Sequence, residues 1–281
     1  MKTFLALALT FAALNASALT NSQAAISDEL QSQVWISSEA KDPTDGSSVN
    51  GYCNATMVHP QLLVTAAHCV RDAYVIKSFQ VDVEVGKYRY VTRPDGTVVR
   101  VGYARYLKEV KAAKFIFTRS LTAKFNSQGL KAQIGPQEDI ALIVLQTPMT
   151  LPANVPMMTA ISQAELRSIV TNLAAYKPTV ISINPFAEIT TNDTKKFAEL
   201  NKIKWNGAGY YESTSVSRVE EGDSGAAIVI KTGPTWKLIG VVKGRAQTVF
   251  SNWDVLAALD QKACEMGQQI GNAELQAVIC K

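Results

Sequence analysis

In Leu63-Val64-Thr65-Ala66-Ala67-His68-Cys69 an apolar run ends in small residues, a histidine and a cysteine. The run has the length and β-branched content of a buried strand, here Leu62–Ala66. A histidine at a strand end is ordinarily a surface or turn residue, so His68 alone says little. Two later strings give it company: Glu138-Asp139-Ile140-Ala141-Leu142-Ile143-Val144-Leu145 and Glu221-Gly222-Asp223-Ser224-Gly225-Ala226. Each has a plain reading on its own. Asp139 punctuates the turn before an apolar strand, and Gly-Asp-Ser-Gly makes a good turn. What matters is that all three occur together, in the order His, Asp, Ser.

These residue types form a chemical set. A serine hydroxyl is a weak nucleophile at neutral pH and needs an imidazole to take its proton. A carboxylate fixes the imidazole tautomer and stabilises the imidazolium that forms. Glycines around Ser224 let the backbone turn sharply and leave its N–H groups open to a developing oxyanion. Rival chemistries lack a residue they need. The esterase-type nucleophile elbow requires a histidine after the serine, and none follows His68. A papain-type cysteine site fails likewise, and metalloprotease motifs are absent. His59, the other histidine, precedes Pro60 in a turn and is given no role.

The rest of the chain reads as β-rich. Short strands are expected at Gln33–Ile36, Thr56–His59, Leu62–Ala66, Phe79–Val85, Val98–Tyr103, Ile140–Leu145, Thr179–Ile183, Ala226–Ile230 and Leu238–Val242. Gly, Pro, Asn and Asp separate them, as in sandwiches and barrels. Ser162-Gln163-Ala164-Glu165 is a capping box opening a helix to about Ala174. A second helix is expected from about Asn252, on the stripe Leu256, Leu259, Ala263, Met266 and Ile270. Pro148, Pro152 and Pro156 mark a linker between two β-rich parts. At 47% hydrophobic and 19% charged the chain can bury a core. A net charge of +4, spread out even around Lys108–Lys114, argues against a nucleic-acid footprint.

The N-terminus reads as a secretory leader of bacterial type over residues 1–18. Lys2 gives the charge, Phe4–Leu14 the apolar run and Ala16-Ser17-Ala18 the cleavage site, with a later cut after Ala24 as the alternative. The apolar run is too short to span a bilayer. A secreted, soluble chain is therefore expected, periplasmic or extracellular. Four cysteines in such a chain favour disulfides, with three pairings open. The absence of C-x-x-C and the two histidines speak against a metal site, and no cofactor is expected.

In the blocks Gly51–Val70, Asp139–Leu145 and Gly222–Val242, a little under a fifth of the chain, the sequence resembles the trypsin/chymotrypsin family of serine peptidases. The resemblance implies an all-β fold: two six-stranded antiparallel β-barrels with the active site in the cleft between them, plus a C-terminal helix. It implies His68 as general base, Asp139 as orienting carboxylate and Ser224 as nucleophile. The backbone N–H groups of Gly222 and Ser224 would form the oxyanion hole, and polypeptides would be the substrates. It implies a Cys53–Cys69 disulfide, which leaves Cys264 for Cys280 if two bridges form. The expected division is residues 19–30 as a pro-segment or arm, 31–150 and 151–251 as the barrels, and 252–281 as helix and clamped tail.

The sequence also departs from the family pattern. Ala226-Ala227 replaces the usual Gly-Pro, and Lys243-Gly244-Arg245 stands where Ser-Trp-Gly is usual. Arg218 falls six residues before Ser224, where trypsin-like members carry an aspartate. Arg218, Lys243 and Arg245 are thus candidate pocket residues. Two readings stay open: a cationic pocket for acidic P1 side chains, or a shifted loop with Arg218 paired to Glu220 or Glu221. Both disfavour a simple Lys/Arg-specific pocket. No Ile-Val-Gly-Gly activation string occurs. A new N-terminus at Leu19, a pro-segment, or another partner for Asp223 would each replace it. A catalytically silent fold-mate that binds another protein is the competing function.

Overall fold

The computed structural model describes residues 23–24, 32–41, 48–78, 80–96, 98–149, 157–183, 195–215, 217, 219–220, 222–247 and 252–281. The leader, the Pro148–Pro156 linker from residue 150 onward, Arg218 and Glu221 lie outside these residues.

Six antiparallel strands close the first barrel. They are β2 (Gln33–Lys41), β3 (Ser48–His59), β4 (Leu62–Thr65), β5 (Gln80–Thr92), β6 (Val98–Ile116) and β7 (Ala141–Leu145). Their order is β2-β3-β4-β7-β6-β5. Every residue of β4 is buried, as its unbroken apolar run requires. The β3–β4 hairpin turns at His59-Pro60-Gln61, where the Gln61 N–H donates to His59 Nδ1 at 3.1 Å. β5 and β6 run longer than expected because Lys87-Tyr88-Arg89-Tyr90 keeps a strand composition without an apolar alternation. Helix α1 (Arg71–Val75) was not expected, and neither was helix α2 (Arg119–Gln128). The signals of α2 are faint: Thr118 caps the Leu121 N–H, and only Leu121 and Phe125 are buried.

The second unit is a nine-stranded sheet. Its strands are β1 (Gln23–Ala24), β8 (Thr159–Ala160), β9 (Thr179–Ile183), β10 (Lys195–Glu199), β11 (Ile203–Trp205), β12 (Tyr210–Ser213), β13 (Ala227–Thr232), β14 (Thr235–Gln247) and β15 (Asn252–Ala258). The path β1-β10-β9-β13-β14-β15-β12-β11 stays open, and β8 joins β14 in parallel. The expected fold class is therefore borne out: mostly β, two sheet units, C-terminal helices. The second unit differs in having extra short strands at its edges and no closing ladder among the described residues.

Alternation along β13 explains how the units join. Ala227 and Val229 share one apolar cluster with the first barrel, while Ile228 and Ile230 belong to the second unit's own core. Successive side chains of a strand point to opposite faces. Both faces are therefore buried, and the segment reads as a continuous apolar run.

The capping box behaves as expected: Ser162 Oγ accepts from the Glu165 N–H, and helix α3 runs Gln163–Ile169 before tightening into a 3-10 turn to Tyr176. The C-terminal helix needs correction. Asn252–Ala258 is strand β15, and helix α4 (Gln261–Gln268) starts behind the N-cap Asp260. Leu256 meets the helical spacing by coincidence; it sits in the second core, on the opposite face from Ala257. Helix α5 (Ala273–Ile279) follows α4. Both disulfides form as expected, Cys53–Cys69 and Cys264–Cys280. No helix among the described residues is long and apolar enough to cross a membrane.

The Cys264–Cys280 bridge closes a loop of sequence separation 16 that contains α5. Replacing both cysteines by serine should lower the unfolding free energy by roughly 3 kcal/mol on chain-entropy grounds. Denaturant unfolding of the two proteins measures this, and equal midpoints would contradict it.

Candidate active site

The register of two adjacent strands sets His68 beside Asp139. Thr65, which ends β4, pairs with Ala141, which begins β7. His68 lies in a 3-10 turn three residues after Thr65, and Asp139 lies two residues before Ala141. Both therefore leave the barrel at the same end. Asp139 is completely buried. Its Oδ1 accepts the His68 backbone N–H at 2.9 Å, and its Oδ2 lies 2.8 Å from His68 Nδ1. One carboxylate thus holds both the main chain and the ring of His68, whose Nε2 lies 3.8 Å from Cys69 Sγ.

Burial works to raise the Asp139 carboxyl. The hydrogen bonds and charge of His68, together with the charge of Lys243, outweigh it and hold the carboxyl below its ordinary range. The neighbouring Glu138 anchors the segment from the other direction. Its carboxylate takes Lys124 Nζ at 2.5 Å and Ser120 Oγ at 3.1 Å from α2.

Ser224 sits in the turn that leads into β13. Gly222 has φ +95° and Gly225 φ +76°, conformations that favour glycine. The turn is pressed against the first barrel. The Asn54 N–H donates to the Ser224 carbonyl at 2.7 Å. A Cβ on Gly225 would lie 2.1 Å from the Asn54 carbonyl oxygen and 2.4 Å from Thr65 Oγ1, so no other residue fits. Asn54 follows Cys53, whose disulfide partner Cys69 follows His68. The serine turn and the histidine turn are thereby fastened to the same part of β3. No Ser224–His68 side-chain hydrogen bond is among the contacts of this structure. Such bonds are often long without substrate and tighten when it binds.

Two buried residues that the sequence did not single out support this turn. The Asn54 side chain donates from Nδ2 to the Gly222 carbonyl at 2.8 Å and accepts the Ile183 N–H at Oδ1 at 2.7 Å. It ties β9 and the glycine turn to the first barrel. Ser182 Oγ donates to Asp223 Oδ1 at 2.5 Å, while Asp223 Oδ2 accepts the Glu220 N–H at 2.7 Å. Asp223 is completely buried, so these bonds offset the cost of enclosing its charge. The only sequence signal for Asn54 or Ser182 is a polar residue inside an apolar strand.

Lys243 and Arg245, expected beside a substrate pocket, are both engaged. Lys243 Nζ donates to Asp139 Oδ2 at 3.1 Å and to the Ile134 carbonyl at 3.0 Å. Arg245 Nη2 donates to the Val219 carbonyl and to Glu220 Oε1, each at 2.9 Å, and its Nε lies 3.9 Å from the buried Asp254. Cys53, His68 and Cys69 bring metal-ligand atoms together, but the two sulfurs are bonded to each other.

Two β units joined where the partly exposed His68 pairs with the buried Asp139 and a Gly-Asp-Ser-Gly turn docks define the trypsin-like serine peptidase fold. The family model described as Trypsin matches residues 33–252, and the chain belongs to that family. No curated protein matches it.

Asn54→Ala removes the partner of the Gly222 carbonyl and of both the N–H and the carbonyl of Ile183, and should destabilise the protein by about 3 kcal/mol, the cost of leaving buried groups unsatisfied. Thermal unfolding against the parent protein tests this. An unchanged midpoint would show that the units are joined without it.

Proposed function

We propose that the chain is a secreted serine endopeptidase that hydrolyses peptide bonds through an acyl-enzyme. The observation that carries this reading is the fully buried Asp139 bonded to both His68 Nδ1 and the His68 N–H, at the junction where the Ser224 turn is docked. His68 Nε2 takes the Ser224 proton as Oγ attacks the scissile carbonyl. Asp139 keeps Nδ1 protonated and stabilises the imidazolium. The oxyanion is met by the N–H groups of Gly222 and Ser224, with the turn between them braced by Asn54 and by the bonds to Asp223. His68 returns its proton to the leaving amine, the acyl-enzyme forms, and water repeats the cycle in reverse. Polypeptides are the substrates the family implies. The leader over residues 1–18 and the two disulfides support export.

Ser182 is a partner for Asp223 that lies within the fold, which supports the reading that Asp223 is held by groups other than a new N-terminus. Arg245, bonded to Glu220, favours a pocket that does not select Lys or Arg at P1. Arg218 remains a proposed pocket residue.

Labelling by an organophosphorus inhibitor tests the reading. The processed protein should label at Ser224 and lose the label in Ser224→Ala, with peptidase activity down by about 10⁶-fold. Failure to label would favour the silent fold-mate that binds another protein. On a peptide panel varied at P1, fast cleavage after Lys or Arg would overturn the pocket reading.

A further inference from the structure

Lys243 occupies an irregular position in β14. Val242 pairs with Leu256 and Gly244 with Val255, so Lys243 is an extra residue in the ladder at a register shift. An extra residue of this kind bends the strand and re-aims a side chain. Here the ammonium reaches Asp139 Oδ2, the same oxygen that binds His68 Nδ1. A single buried oxygen thus serves both the Lys243 ammonium and the His68 imidazole.

We infer that Lys243 is a positioning residue of the His68–Asp139 pair, whose ammonium partly neutralises Asp139 and so keeps His68 available as a base in more acidic solution. The inference rests on the catalytic reading above. Its physical basis is Coulombic. An imidazolium beside a lone buried carboxylate is strongly favoured, whereas one beside a carboxylate already paired with a cation gains less and is repelled by that cation. Lys243 is also fixed by the Ile134 carbonyl, which ties β14 to the segment carrying Asp139.

Other charged groups near the pair have their own partners. Glu138 bonds Lys124 and Ser120, and Arg71 pairs with Asp72 on the turn after His68. Arg245 turns to Glu220, Lys262 donates to the Gln137 carbonyl, and Cys69 is held in a disulfide. Among the described residues, Asp139 and Lys243 are therefore the charges that face the ring directly.

The test removes the charge and keeps the donor. Lys243→Gln loses the charge but keeps an amide donor, one bond shorter, on the side facing Asp139, and in Lys243→Met neither bond survives. Both should move the acid limb of the kcat/KM profile to higher pH by about 1 unit, the lower end for a nearby charge because Lys243 is partly hydrated. Lys243→Arg should restore the parent profile. A second readout does not need turnover. The chain has two histidines, so His59→Gln leaves the His68 ring as the sole imidazole signal in proton NMR. Its titration midpoint should rise by about 1 unit when Lys243→Gln is added. An unmoved midpoint overturns the inference even if peptides are cleaved. A moved midpoint in a protein that does not label at Ser224 upholds Lys243 and removes the peptidase reading.

Discussion

The molecule depends on one close approach. The backbone of Ser224 bonds the backbone of Asn54, and Gly225 lies so near the Asn54 carbonyl that a methyl group would overlap it. Everything functional is arranged around that contact. It brings the turn from the second sheet onto β3 of the first barrel, one residue from the disulfide that holds the His68 turn. Because the contact is between main chains, it tolerates no side-chain adjustment. The Asn54 amide extends it to Gly222 and Ile183, so one buried residue ties three segments of backbone.

The second ordering force is the enclosure of charge. Asp139 and Asp223 are both fully buried, and isolated carboxylates in such places are costly. Each is compensated by several donors. Asp139 has His68 twice and Lys243; Asp223 has Ser182 and the Glu220 N–H. The donors come from different segments, the His68 turn and β14 for Asp139 and β9 and the loop at Glu220 for Asp223, so satisfying each carboxylate draws several elements together. Charge burial therefore specifies the geometry here more than it adds to stability.

Short-range signals were legible in the sequence where they coincided with a strong local pattern. The apolar runs of β4, β7 and β13 and the Ser162 capping box form the elements they signal. What escaped were features set by distant partners. Asn54 and Ser182 are marked only as polar residues inside apolar strands, and the partners that give them their roles, Ile183, Gly222 and Asp223, are more than forty residues away in sequence. Lys243 could be found only as a departure from a family pattern, and its direction depends on a bulge created by pairing with β15. The Asn252 helix start was misread because β15 is buried on both faces. Apolar residues then fall at every spacing, and helical and strand periods cannot be told apart.

The strand shared by two cores has a further consequence. Val229 packs into one apolar cluster and Ile228 and Ile230 into the other, with the Ser224 turn directly upstream. Neither core can come apart without stripping one face of the strand that completes the other. The two units are thereby made a single cooperative body, with no cheap partial opening between them. Under the peptidase reading proposed above, any briefly loosened segment would be a substrate for neighbouring copies in solution. Making the centre of the fold the common property of both halves removes the intermediate on which such self-digestion would feed.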